Sequence, residues 1–195
     1  HNEATFLVNA VPATAANIVI SELHYHPPAP TSPESAAGYN SANDFESIEL
    51  LNVSGQNVDL SNCQFTLGVS FNFGNSDPDL LTLPPGGRII VVGNQNAFLF
   101  RYGNNPSVKI AGEFSGNLDN AGEQITLRAA NSAIIADFSY GTAEPWPVDS
   151  DGPGYSLVLN NPAAGIDYTM GSNWRSSAQI GGTPGLANST TFTGS

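Results

Sequence analysis

Disulfide chemistry is nearly excluded by composition: the 195-residue chain has one cysteine, Cys63, and no second thiol for it to pair with. Cys63 sits in "LSNCQFTL" between apolar residues at strand-like spacing, which marks a buried structural thiol rather than a nucleophile. Basic residues are almost as scarce. Lys109 is the one lysine and Arg88, Arg101, Arg128 and Arg175 are scattered, so five basic residues face 17 acidic ones for a formal net charge of −12. Nucleic acids and anionic membranes are bound by clustered Lys and Arg, so neither is an expected partner. No apolar run approaches the ~18 residues of a membrane span. The opening "HNEATFLVNAVPATAANIV" lacks the basic stretch and apolar run of a signal peptide, and fits a mature secreted fragment or a domain cut from a longer chain. A chain of this length buries roughly 70% of its unfolded surface and needs no disulfide or metal staple.

What is present is a series of short strand patterns between turn clusters, with 20 glycines and 14 prolines mostly at the turns. Residues 1–17 read as an extended arm, either a frayed terminus or, with "ATFLVNAVP" as its last strand and "ATAAN" as its linker, the end of a preceding domain. "NIVISELHY" is the first strand of the body, ended by "HPPAP", where proline removes donors. Residues 27–43 form a long polar loop without periodicity. "FESIELLNVSG" places Ile48 and Leu50 on one face and Glu49 on the other, and "VDLSNCQFTL" follows as the next strand. "SFNFG" and "DLLTLPPGG" give a short pair, and "RIIVVGN" a central strand. "NQNAFLFRYG" is the helix candidate, capped by Asn94 and ended at Gly103. "EQITLRAANSAIIADFSYG" is a hairpin turning at 130–132, and "YSLVLNN" the last strand. About eight or nine strands with one short helix imply an all-β fold, an antiparallel sandwich over residues 18–189, with 190–195 as a tail.

In this order, the stretches "IVISELHYHPP", "ESIELLNVSGQNVDLSNCQF", "LPPGGRIIVVGNQNAFLFRYG", "LDNAGEQITLRAANSAIIADFSY", "DGPGYSLVL" and "SNWRSSAQIGGTPGLANS" resemble the bacterial lamin tail domain. Each is weak alone; six in the family's order are not. The resemblance implies an immunoglobulin-like sandwich with no active site of its own, serving as an accessory module in large secreted or surface proteins. Two departures stand out: the 27–43 loop is longer than the family's usual connection, and Ser47 replaces an aromatic residue expected between Glu46 and Ile48. Animal lamins carry a similar fold behind a coiled-coil rod, but this chain has no heptads.

Several residues could carry chemistry. Asp149, Asp151 and Gly152 open like a calcium loop, yet position five is Pro153 and position twelve Asn160, so the EF-hand pattern fails. Calcium could still be held by Asp149, Asp151 and backbone carbonyls; the other reading is a solvated turn whose Asp side chains bond local backbone. Glu22 and Glu46 lie on adjacent segments, and the family pattern carries an acid at both places. They could act as an acid–base pair or as metal ligands, or simply hold loop backbone. His24 and His26 are spaced for one face of a strand, but no third ligand follows at the spacing of a zinc motif. Trp146 and Trp174 read as core residues, with a carbohydrate platform as the alternative. Asn52 and Asn188 open formal glycosylation sequons.

The expected function is therefore a non-catalytic interaction module of an extracellular or cell-surface protein, spacing or anchoring its neighbours through loops and sheet edges. Its partners would be neighbouring domains, a partner protein or a glycan. The rival is a calcium-stabilised ligand-binding domain using the Asp149–Asp151 loop.

Overall fold

The computed structural model describes residues 9–188. His1, most of the "ATFLVNAVP" strand and the 190–195 tail therefore lie outside the described residues. Thirteen short strands run in chain order as β1 (Ala10–Pro12), β2 (Ile18–His24), β3 (Ser47–Asn52), β4 (Asn57–Asp59), β5 (Gln64–Leu67), β6 (Phe71–Asn72) and β7 (Thr82–Leu83). They continue as β8 (Arg88–Val92), β9 (Ile110–Glu113), β10 (Gln124–Arg128), β11 (Ile134–Ser139), β12 (Leu157–Leu159) and β13 (Trp174–Ser176). Two helices join them, α1 (Ser32–Ala36) and α2 (Gln95–Tyr102).

A six-stranded sheet of order β13-β12-β2-β3-β8-β9 packs over a four-stranded sheet of order β11-β10-β5-β6, with a three-stranded sheet of order β1-β4-β7 beside them. One continuous core fills the space between: Ile20, Ile48, Leu50 and Val91 from the large sheet meet Phe65, Ile125, Leu127 and Phe138 from the four-stranded one. Alternation along each strand puts these side chains on the inner face. Cys63 is buried among them, and burial pushes its thiol up to about 12, which leaves it unreactive. Trp174 is likewise buried and Trp146 packs against the same core, their ring centroids 6.1 Å apart.

The β2–β3 register decides where the polar residues go. Ile20 pairs with Leu50, but the next pairs are Glu22 with Glu49 and Leu23 with Ile48, so one extra residue bulges at Ser21. Ile18 and Ile20 face the core before the bulge, and Leu23 and Tyr25 after it. Plain alternation from Ile20 would drive Glu22 inward; the bulge turns Glu22 and His24 to the outer face of the large sheet. That face is covered by a partial third layer. Ile90 and Val92 pack there against Phe98 of α2.

α2 forms where its local signals place it. Asn94 Oδ1 accepts from the Ala97 N–H at 3.0 Å, and Gly103 ends the helix at φ +77°. Other expectations need correction. "VDLSNCQFTL" is two strands in two different sheets, because Asp59 Oδ1 accepts from the Ser61 N–H at 2.8 Å and turns the chain. The described end of the arm belongs to the body: β1 pairs with β4, and Ala13 is buried. That pairing and β8–β9 are parallel, so the sandwich is not wholly antiparallel. Residues 27–43 carry α1 and are fastened to α2, as described below.

Candidate functional site

Of the two aspartates of the acidic loop, Asp149 lies within a 3-10 turn at Val148–Ser150 and Asp151 directly follows it; both are half-buried. Asp151 Oδ1 lies 2.8 Å from His26 Nδ1, with the Asp side chain 38% exposed. His24 and His26 do not act together. β2 ends at His24, whose Nε2–H donates to the Gly154 carbonyl at 3.2 Å, since a carbonyl can only accept. Burial lowers the His24 pKa to about 4, so the ring is neutral. Both histidines touch the 151–154 segment, but among the described residues no group of three or more His, Cys, Asp or Glu side chains is placed to hold a metal.

Glu22 and Glu46 are not brought together as a pair. Glu46 precedes β3, is fully buried, and accepts the Leu118 N–H on Oε2 at 2.8 Å. Its Oε1 has no partner among the described residues. Burial, with Glu123 adding repulsion, pushes its carboxyl up to about 8. The acid beside Glu22 is Glu49, its register partner on β3. The sequence carried that signal in the outward face of "SIELLN", but reading it needed the bulge.

Glu22 and Glu49 are the centre of the polar cluster under the outer layer. Ser156 Oγ and the Thr183 N–H donate to Glu22 Oε1 at 2.6 and 3.1 Å. Glu49 accepts from Ser21 Oγ at 2.6 Å, from Arg88 Nε at 3.2 Å and from the Gly185 N–H at 2.8 Å. Burial raises both carboxyls, and Glu22 raises Glu49 further, to about 7. Both acids therefore clasp the "GGTPG" segment by its backbone. Gly182 has φ +69°, and a Cβ there would meet Glu22 Oε1 and Ser156 Oγ.

A second polar centre lies beside it. Arg101 of α2 forks onto Glu34 of α1, Nε to Oε1 at 2.7 Å and Nη2 to Oε2 at 2.9 Å. Nη1 donates to the Pro28 carbonyl at 3.2 Å, and the guanidinium lies 3.3 Å above the Phe45 ring. The Arg101 hydrogen bonds hold Glu34 down at about 2. This is what pins the 27–43 loop. Between it and the C-terminal segment is a cavity of about 530 Å³, lined by Pro28, Thr31, Arg101, Tyr102 and Ile180 among others.

The stacked sheets, their crossing connections and the loop-bearing rims define an immunoglobulin-like β-sandwich of the kind that serves as an interaction module. The family model described as Lamin Tail Domain matches residues 11–142, more than half of the chain, and the chain belongs to that family. The last two stretches that carried the resemblance, "DGPGYSLVL" and "SNWRSSAQIGGTPGLANS", lie beyond the matched residues. No curated protein matches. No solved structure matches either. Among the described residues no helix is long and apolar enough to cross a membrane.

Proposed function

We propose that this lamin tail domain is a non-catalytic accessory module of a larger secreted or surface bacterial protein, spacing or anchoring neighbouring domains. The observation that carries this is how these buried polar groups are used. Glu22, Glu49, Glu34 and His24 are each bonded to the chain's own donors or carbonyls and hold segments of this fold in place. What the surface offers a partner is rims, sheet edges and exposed apolar side chains such as Phe100 and Ile180.

Crosslinking mass spectrometry on the parent protein tests this. Crosslinks from the loops to a neighbouring domain or surface partner are expected, together with unchanged activity of any neighbouring enzyme domain when this one is deleted. Turnover of an ester, glycoside or phosphodiester panel by the isolated domain, abolished in Glu22→Gln, would overturn it. The second reading is a calcium-stabilised ligand-binding domain. It draws on the half-buried pair Asp149 and Asp151, though His26 already takes one Asp151 oxygen. At about 1 mM calcium, the range of extracellular sites, the module reading expects the same melting temperature as with chelator. The calcium reading expects a drop on chelation that vanishes in Asp151→Asn.

A further inference from the structure

Sheet edges are where a sandwich has unpaired backbone, and the edges here are not equivalent. The β6 side is closed: Ser70 and Ser115 exchange both backbone bonds at 2.9 Å, tying the end of the four-stranded sheet to the chain just after β9. β13 is three residues long, and β9 lies beside α2. β11 is different, with six residues and, among the described residues, β10 as its one strand neighbour.

We propose that the free edge of β11 is a docking strand for an extended segment of a partner protein, with a basic residue facing Asp137 and small or apolar side chains flanking it. This rests on the interaction-module reading and says where and what the module binds. Backbone direction comes first. The Tyr140 N–H donates to the Glu123 carbonyl at 3.1 Å, so in the antiparallel ladder Phe138 and Tyr140 turn their peptide groups toward β10. Asp137 and Ser139 therefore turn theirs outward, and neither N–H has a backbone partner among the described residues. An added strand would pair there, as in other β-augmentation complexes.

The surface beside this edge has the right shape. Two cavities of about 250 and 220 Å³ both include Ala15 and Ile134 in their walls and so run on from each other along β11. One is walled by Pro12, Ala13 and Ala133, the other by Ala136, Ile166 and Tyr168. Ile134 stands 49% exposed at their junction. Small side chains leave room for alternate residues of an incoming strand, while its other side chains face solvent.

Charge then selects the partner. Asp137 is the one charged residue in either wall. Gln124 Nε2 and Thr126 Oγ1 both donate to its Oδ1, at 2.7 and 2.9 Å, and stabilise the ionised form. An acidic segment would meet this carboxylate on a chain of net charge −12, and a second copy would bring another −12 to the same edge. A lysine or arginine opposite Asp137 fits instead.

The test uses the full chain, isotope-labelled for NMR, and two synthetic nine-residue peptides of alternating threonine and valine, one with lysine and one with glutamate at the centre. The lysine peptide is expected to bind about five- to tenfold more tightly at low salt, a cross-strand charge preference of ordinary size. It should also slow amide exchange at Asp137 and Ser139 while leaving Phe138 and Tyr140 as they were. Asp137→Asn should keep the folded spectrum and remove the preference; Ser139→Pro should remove binding. Equal binding of both peptides, shifts centred away from β11, or outward amides already protected in the free chain by its own terminal segments would each overturn the proposal. Crosslinks from other loops to a neighbour that persist in Ser139→Pro would sink the edge assignment and leave the module reading standing.

Discussion

Arg101 is held on three sides at once, by the Glu34 carboxylate, the Pro28 carbonyl and the face of Phe45. Removing it strands a carboxylate whose side chain is 5% exposed. Arg101→Ala should cost about 3 kcal/mol in urea denaturation, the scale for breaking one partner of a buried pair. Arg101→Lys should recover little of this, because an ammonium can neither fork onto Glu34 nor stack flat on the ring. Gly182 offers a cleaner measurement because Gly86 serves as its control. Both have left-handed backbone, φ +69° and +70°, but a Cβ at Gly86 meets nothing within 4 Å whereas at Gly182 it meets Glu22 and Ser156. Gly86→Ala should cost about 1 kcal/mol, the backbone cost alone. Gly182→Ala should cost about 3 kcal/mol, since the clash adds to that cost. It should also speed proteolysis of the C-terminal segment, which Gly86→Ala leaves unchanged.

At the scale of elements, what could be read ahead was what is local. α2 was legible because its signals lie within ten residues: Asn94 at one end, Gly103 at the other, and a face with Ala97 and Phe98 buried. Asn94→Ala should accordingly cost about 1 kcal/mol, seen as a lower urea midpoint with unchanged slope. The β10–β11 hairpin was legible for the same reason, its turn at 130–132 marked by Ser132 at φ +64°. The break inside "VDLSNCQFTL" had a local sign, the slip in alternation at Ser61–Asn62 after Asp59, but a slip of one residue does not say that Val58 and Phe65 serve different sheets. The candidate site suffered most. Pairing Glu22 with Glu49 rather than Glu46 required the register, and the register turns on one bulged residue at Ser21. The donors that occupy Glu22 and Glu49 come from Thr183 and Gly185, 161 and 136 residues along the chain, and the pinning of the 27–43 loop depends on Arg101, 67 residues from Glu34. No periodicity within β2 or β3 could announce such contacts.

For the molecule as a whole, an acidic chain that buries acids without enough cations should lose stability as the pH rises. Glu46 and Glu49 have folded pKa values of about 8 and about 7, above their ordinary 4.5, so each favours the folded state while protonated. Their contribution is complete below pH 4.5 and is lost as the pH climbs through the folded values. His24 works the other way: held near 4 against an ordinary 6.5, it favours folding as the pH rises between those values. The two trends oppose each other below pH 6.5 and blur the curve there. Above it the unfolded His24 gives up only the remainder of its charge and unfolded carboxylates are already ionised, so the buried carboxyls of the folded state account for most of the difference in protons still released. Between pH 6.5 and pH 8 stability should therefore fall, with Glu46 alone accounting for about 2 kcal/mol at 1.36 kcal/mol per pH unit. Thermal melts across that window should show a declining transition temperature. Glu46→Gln, neutral at every pH and still able to accept from the Leu118 N–H, should flatten most of the decline and be the more stable protein at pH 8. A slope unchanged in Glu46→Gln would mean that general repulsion among surface carboxylates, rather than this buried acid, sets the alkaline limit of the fold.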